Sequence, residues 1–259
     1  MRINQSKKLA HGGRLAIGTM CNAASPLIGE WLGHSGYDFV VVDLQHGENN
    51  LDNVSVMLQA LSSTPATPVV RVPANVPMYI QRVLDLGAYG IIVPLVNTKA
   101  DAEAVVASVR YAPKGARSWG PVRGAMYGGA DYFSKSSEEL MTLVMIESAE
   151  GLRNAREILG VDGVDGVFVG PADLNISLGH SPDTPAIDKQ TGEAIEAILA
   201  IARNAGKIAG IHAFSLEDAK ARAVQGFTFM TVMADIRMIR AGATQAISAL
   251  RTQGGAAAR

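Results

Sequence analysis

Eight short apolar runs, each followed by a stretch with helical spacing, constrain this chain more than any other feature. The runs lie at 15–20, 39–43, 68–72, 90–96, 141–147, 166–170, 208–213 and 227–232. None shows clean alternation of polar and apolar residues. A strand with one wet face alternates, whereas a parallel strand covered on both faces is apolar throughout. Helical spacing falls between the runs, at 26–32, 51–61, 78–86, 100–109, 151–159, 193–204, 216–224 and 239–250. Ser25-Pro26 supplies a cap followed by proline at the first helical position, and Ser215 to Asp218 has the form of a capping box. Gly87, Gly160, Gly206 and Gly226 close other helices. Eight such units in 259 residues predict an α/β chain folded as a (β/α)8 barrel. One domain is expected over 1–259, with a core at about 14–251 and a frayed tail at 254–259. The competing topology is a doubly wound open sheet. No Gly-x-Gly-x-x-Gly follows the first run, and no phosphate-loop signature occurs.

Composition narrows the function classes. Hydrophobic residues make up 48%, enough for a large closed core, and 23 Lys and Arg nearly cancel 24 Asp and Glu. A net charge of -1 gives no reason to expect nucleic acid or an anionic membrane as partner. Cys21 is the sole cysteine, so no internal disulfide can form, which fits a reducing cytoplasm. The first residues are basic but lead into no apolar segment of a signal peptide, and no run approaches the roughly 18 apolar residues of a membrane span. A soluble cytoplasmic protein is the expectation. Two stretches, 112–137 and 175–188, read as long irregular loops, and such loops are usually functional or at an interface.

In a barrel of this kind the chemistry gathers at the C-terminal ends of the strands. There the sequence places Asp43 and His46 after the second run, Arg71 after the third, Glu147 after the fifth, Asp173 after the sixth and His212 after the seventh. Glu147 and Asp173 would repel each other on adjacent strands unless a proton or cation separated them, and a divalent metal resolves that cost. The plainer alternative is that each caps the helix after it. Arg71, inside an apolar strand, is either a structural partner for a carboxylate or a fixed positive fork for a substrate carboxylate or enolate oxygen. Asp43, three residues before His46, could orient its imidazole and raise its basicity. His212 stands between a core histidine and a pocket-lining one. Other plans fail. The eight lysines avoid the strands, which removes a Schiff-base aldolase, Cys21 has no activating partner, and neither Gly-x-Ser-x-Gly nor His-Glu-x-x-His occurs.

These motifs together, Asp43-Leu-Gln-His46-Gly47, Val70-Arg71-Val-Pro73, Asp85-Leu-Gly-Ala88 with Pro94, Ile146-Glu147 and Gly170-Pro-Ala-Asp-Leu174, resemble the HpcH/HpaI aldolases, the metal-dependent class II pyruvate aldolases. The resemblance runs from about Arg14 to Arg251. It implies a barrel of the phosphoenolpyruvate/pyruvate-binding type, assembled as a hexamer (a trimer of dimers) with the last helix exchanged between neighbours. It implies that Glu147 and Asp173 bind Mg²⁺, Mn²⁺ or Co²⁺, with no organic cofactor. Arg71 would contact the keto or enolate oxygen, and His46 with Asp43 would handle the proton. The turn Gly170, Pro171, Ala172 and Asp173 would hold the pyruvate carboxylate. Dicarboxylate-cleaving members carry Asp-x-Glu-His and a glutamine two residues before the metal glutamate, where this chain has Gln45 and Met145. Those changes, with Gly-Pro-Val-Arg123 and Gly-Ile-His212, are similar to the hydroxyketoacid-aldolase branch. The implied activity is reversible cleavage of a 4-hydroxy-2-oxo acid to pyruvate, or hydroxypyruvate, and an aldehyde. Trp119, Arg123, His212 and Phe214 would shape the acceptor pocket. The alternatives are a lyase acting on a citramalyl- or malyl-CoA-type thioester, for which Arg117 and Arg123 could form a nucleotide path, and a barrel that binds small acids without turnover.

Overall fold

Each of the eight apolar runs is a strand. In the computed structural model, which describes residues 1–182 and 188–254, they are β1 (Ala16–Cys21), β2 (Phe39–Asp43), β3 (Thr67–Arg71), β4 (Gly90–Val93), β5 (Met141–Ile146), β6 (Gly166–Val169), β7 (Ile208–Ala213) and β8 (Phe229–Ala234). All neighbours pair in parallel, and β1 closes on β8, so the sheet is a complete barrel with helices outside. The (β/α)8 reading holds and the open sheet is excluded.

The two cores explain the missing polar alternation. Phe39, Val41, Val69, Leu143, Met145, Phe168 and Phe229 fill the barrel interior, while Val40, Val42, Val70, Val144 and Val167 belong to the second cluster, between strands and helices. Successive residues of β2 therefore serve two apolar environments, and both must be hydrophobic. The Phe39 and Phe229 rings stack with centroids 3.8 Å apart. Phe39 occupies the space that a Cβ on Gly18 would need, which is why β1 carries glycine opposite it. Removing such a buried ring costs about 3–5 kcal/mol.

The structure adds elements that the sequence reading lacked. Gln5–His11 is a helix across the N-terminal mouth of the barrel, and its Ala10 joins the interior core. Asn4 caps it, accepting from the Lys7 amide, and also donates to the carbonyls of Tyr89 and Glu139. Lys7 pairs with Asp165 at 2.9 Å, just before β6. The expected irregular stretch 112–137 instead contains two short helices, Val122–Gly128 and Tyr132–Glu139. Gly124 and Gly128 are buried there, where a Cβ would strike the Leu84 carbonyl at 2.8 Å and the Tyr132 ring at 2.7 Å. These glycines serve helix packing and not loop freedom. The last helix begins at Asp235, not at 239, and is described to Gly254. Of the second expected loop, residues 175–177 belong to the helix Pro171–Ser177, and 183–187 lie outside the described residues, as do the tail residues 255–259. No helix among the described residues is long and apolar enough to cross a membrane.

Candidate active site

A pocket of about 200 Å³ opens at the C-terminal ends of the strands. His46, Arg71, the turn 170–173, His212 and Phe214 all reach its wall. The sequence reading placed these at strand ends up to 168 positions apart (His46 to Phe214), and the barrel converges them.

Register sets the first pair. Asp43 ends β2 and Arg71 ends β3, and the two are direct partners in the parallel ladder. The buried Asp43 carboxylate grips the guanidinium with both oxygens, Nε to Oδ1 at 2.8 Å and Nη2 to Oδ2 at 2.6 Å. This bidentate fork fixes the plane of Arg71 and aims its remaining donors into the pocket. Asp43 also accepts from Asn22 Nδ2 and from the backbone amides of Gln45 and His46. The expectation that it orients the imidazole is therefore corrected. It holds the His46 backbone, and both oxygens are already committed to Arg71. The His46 side chain stands exposed at the rim.

Glu147 follows β5 and is 2% exposed. Its Oε1 accepts from the Leu95 amide at 2.8 Å, and Leu95 holds a left-handed φ of 53° beyond β4 to present that donor. Its Oε2 is buried with no hydrogen-bond partner. A Cβ on Gly170 would lie 2.5 Å from that oxygen, so only glycine lets the β6 turn approach it. Burial pushes the Glu147 carboxyl up to about 7, against the Leu95 hydrogen bond and with the neighbouring Asp173 charge adding to the rise. Neither carboxylate caps a helix. Ser148 caps Ala149–Arg153, and Pro171–Ser177, whose first turn carries the exposed Asp173, has no side-chain cap. A buried, unpartnered carboxylate oxygen beside a second acid fits a cation ligand. Among the described residues no group of three or more His, Cys, Asp or Glu could hold a metal, so this pair would leave most coordination positions to water and substrate.

His212, on β7, bonds Thr231 Oγ1 through Nδ1 at 2.9 Å and packs edge-on against Phe214. Burial, then the charges of Arg71 and Arg237, lower its pKa to about 4, so it is neutral near pH 7. It is a pocket residue. Cys21 is buried, and burial together with Asp235 and Asp43 pushes its thiol up, which keeps it inert.

Two expected acceptor residues are elsewhere. Arg123 donates to the carbonyls of Leu58 and Leu86 and to Ser62 Oγ. These groups end the helices Val54–Ser62 and Pro77–Asp85, at the far end of the barrel, where terminal carbonyls capture cations. Trp119 packs on Tyr111 and Phe133 and is 60% exposed, away from the pocket of its own chain. Arg117 is buried against Asp85 at 2.7 Å, so neither arginine is free for a nucleotide path.

The sequence reading missed Asn22, Asp235 and Arg237. Asp235 accepts from the amides of Asn22 and Ala23, which ties the end of β8 to the end of β1, and Arg237 lines the pocket from the first turn of the last helix. The signal was available. The same search of strand ends, extended to the first and eighth strands, yields all three.

Comparisons with known proteins agree with this fold. The model of the HpcH/HpaI aldolase/citrate lyase family matches residues 17–241. The chain is 39% identical over 252 residues to a hydroxypyruvate/pyruvate aldolase of Rhizorhabdus wittichii, covering 96% of this chain and 99% of that one. It is 39% identical over 247 residues to a 5-keto-4-deoxy-D-glucarate aldolase of Klebsiella pneumoniae, covering 95% of each. A crystal structure of a family protein from Burkholderia cenocepacia superposes with a TM-score of 0.89 at 33% identity, covering 96% of this chain and 99% of the other. The chain belongs to the HpcH/HpaI aldolase/citrate lyase family and is a carbon–carbon lyase.

Proposed function

We propose that the protein catalyses reversible aldol cleavage of 4-hydroxy-2-oxo acids to pyruvate, or hydroxypyruvate, and an aldehyde, with Mg²⁺, Mn²⁺ or Co²⁺ held by Glu147 and Asp173 and no organic cofactor. The observation that carries this reading is the buried, unpartnered Oε2 of Glu147 beside Asp173. The names of the two aldolases at 39% identity support it. When bound, the cation supplies Lewis-acid polarisation of the 2-oxo group. Arg71, held flat by Asp43, places positive charge where the oxygen of the 2-oxo acid gains negative charge. The turn 170–173 offers backbone donors to its carboxylate. His46 carries the proton of the aldol hydroxyl, taking it during cleavage and returning it during condensation. Neutral His212 with Phe214 lines the acceptor end, and Met20, Met145 and Phe168 keep the floor apolar. Gln45 and Met145 support polar, hydroxylated or small aldehydes over succinic semialdehyde.

The pocket is smaller than the roughly 300–1,000 Å³ that encloses larger ligands, which supports a small substrate over a CoA thioester. The reading also carries a cytoplasmic homo-oligomer, a trimer of dimers that exchanges the last helix. What supports the oligomer is the exposure of Ile236, Ile239, Ile247 and Leu250 along that helix, and of Trp119, Val122 and Met126 on the flank. The test is a cleavage assay before and after chelation, beside calorimetric titration of Mn²⁺. Chelation should abolish cleavage and added Mg²⁺, Mn²⁺ or Co²⁺ should restore it, while Glu147→Gln and Asp173→Asn should lose Mn²⁺ binding with the fold retained. Full cleavage after exhaustive metal removal would contradict the proposal.

A further inference from the structure

Asn22 directly follows β1 and lines the pocket. Its backbone is fixed from both sides without help from its side chain. Asp235, 2% exposed at the start of the last helix, accepts from the amides of Asn22 and Ala23 at 2.9 Å each. The Asn22 carbonyl accepts from the Glu48 amide at 2.8 Å and from Asn49 Nδ2 at 3.3 Å. Gly47 lets the loop after β2 close on it, because a Cβ there would stand 2.9 Å from that carbonyl oxygen. The side-chain amide remains, and it is held by its donor end. Nδ2 donates to Asp43 Oδ2 at 3.2 Å, while Oδ1 is buried with no hydrogen-bond partner. The chain tolerates an orphaned amide oxygen to keep a donor on Asp43, although buried polar atoms are ordinarily paired. Oδ2 is the same oxygen that receives Arg71 Nη2 at 2.6 Å. Tying β1 to its neighbours needs only the Asn22 backbone, so the donor has another role.

We propose that Asn22 is a positioning residue that pins Asp43 and, through it, the plane of the Arg71 guanidinium, with Asp235 extending that hold to the start of the last helix. This rests on the aldolase reading above and adds to it a residue that acts through Asp43. Oδ1 of Asp43 is steadied by the amides of Gln45 and His46 as well as by Arg71 Nε. The partners of Oδ2 among the described residues are Arg71 and Asn22. Without Asn22 the carboxylate can turn and carry the fork with it. Arg71 serves the charge that develops on the oxygen of the 2-oxo acid, so a loosened fork weakens the transition state more than the bound substrate. The backbone of β8 is distorted where it delivers Asp235. Met233 holds a left-handed φ of 60°, and the β1–β8 register shifts between Gly18 and Met20. The seating of the last helix thereby bears on Arg71 across the ends of β1, β2 and β3.

The experiment measures exchange of pyruvate methyl protons in deuterated water with Mg²⁺-loaded enzyme, beside calorimetric titration of Mn²⁺ that counts intact sites in each preparation. Asn22→Ala should lower kcat per Mn²⁺ site by roughly 10- to 100-fold with KM for pyruvate nearly unchanged, the pattern of an interaction realised in the transition state. Asn22→Asp gives a readout that a merely structural role would not move. The introduced carboxyl faces Asp43 and Asp235, so it donates to Asp43 only when protonated, and the like charges raise its pKa. Its kcat relative to wild type should therefore climb as pH falls from about 8 to about 5.5, while the same ratio for Asn22→Ala stays flat. Wild-type kcat per site in Asn22→Ala, or a rate loss no larger than the loss of Mn²⁺ sites, overturns the inference. So does a pH-independent ratio in Asn22→Asp. Absence of exchange in the wild type is a different failure, since it overturns the aldolase reading and the inference with it.

Discussion

At the N-terminal mouth of the barrel, Lys7 and Asp165 pair at 2.9 Å, Asp165 takes the Thr142 amide, and Asn4 spends its side chain on backbone groups of three segments. At the C-terminal mouth, Glu147 leaves one oxygen without a partner, Arg237 has no acid partner among the described residues, and His212 is held neutral by burial and by the charges of Arg71 and Arg237. Both ends collect polar residues at strand termini, so residue type alone does not distinguish them. The difference lies in whether each charge is answered within the chain. Answered charges tie chain segments together at one end, and those at the other are the groups proposed to meet a cation and substrate. Arg71 belongs to the second mouth yet is paired, which marks it as a group whose orientation, more than its charge, the protein must fix.

The sharpest way to break this comparison is to disturb the Arg71 fork. Arg71→Ala should abolish cleavage, with a loss above roughly 10³-fold, because it removes the charge facing the developing oxyanion. Asp43→Asn should cost nearly as much by loosening the guanidinium, and normal kinetics in it would remove the fork from the account. A smaller effect is expected at His46→Ala, where cleavage should fall by roughly 10²–10⁴ while pyruvate enolisation is only partly impaired. Cleavage at the wild-type rate would return His46 to a solvated rim residue. At the opposite mouth, Lys7→Met should lower stability by about 1–3 kcal/mol in chemical denaturation, by stranding Asp165, and leave kcat/KM unchanged in the folded fraction. A catalytic defect there would erase the division between the two ends.

The gentlest test uses pH. His212 titrates at about 4 when folded and near its ordinary value of about 6.5 when unfolded. Between those values the unfolded chain binds the extra proton, so stability should fall as pH drops from about 6.5 towards 4. Substituting Asn at His212 should flatten that part of the thermal-midpoint profile, and an identical slope in both proteins would mean that other groups drive it.

Much of this was legible in the sequence for a physical reason. A strand buried on both faces must be apolar throughout, so β2 and β5 announce themselves, and polar residues can then appear only at strand ends. That is how Glu147, Asp173, Arg71 and His46 stood out. What stayed hidden depended on geometry between segments. Asp43 and Arg71 face each other only because of the β2–β3 register, and nothing local says that the carboxylate prefers the guanidinium to the imidazole three residues on. Arg123 sits in a glycine-rich stretch that reads as a loop, but the glycines of that stretch allow helix packing, and helix-terminal carbonyls claim the arginine. Arg237 was overlooked because the last helix was read as starting at 239, which left 235–237 as a connection and not as the helix's first turn, directly after β8.

The central claim is that the unanswered carboxylates at the C-terminal mouth exist to bind a cation that makes pyruvate enolisable. The most direct measurement follows the methyl protons of pyruvate by NMR in deuterated water, with no aldehyde present, for the metal-loaded, chelated and reloaded protein. The account predicts exchange in the loaded protein, its loss on chelation and its return on reloading, with Glu147→Gln silent throughout. No exchange in the loaded wild type, or undiminished exchange after the metal is gone, would contradict it.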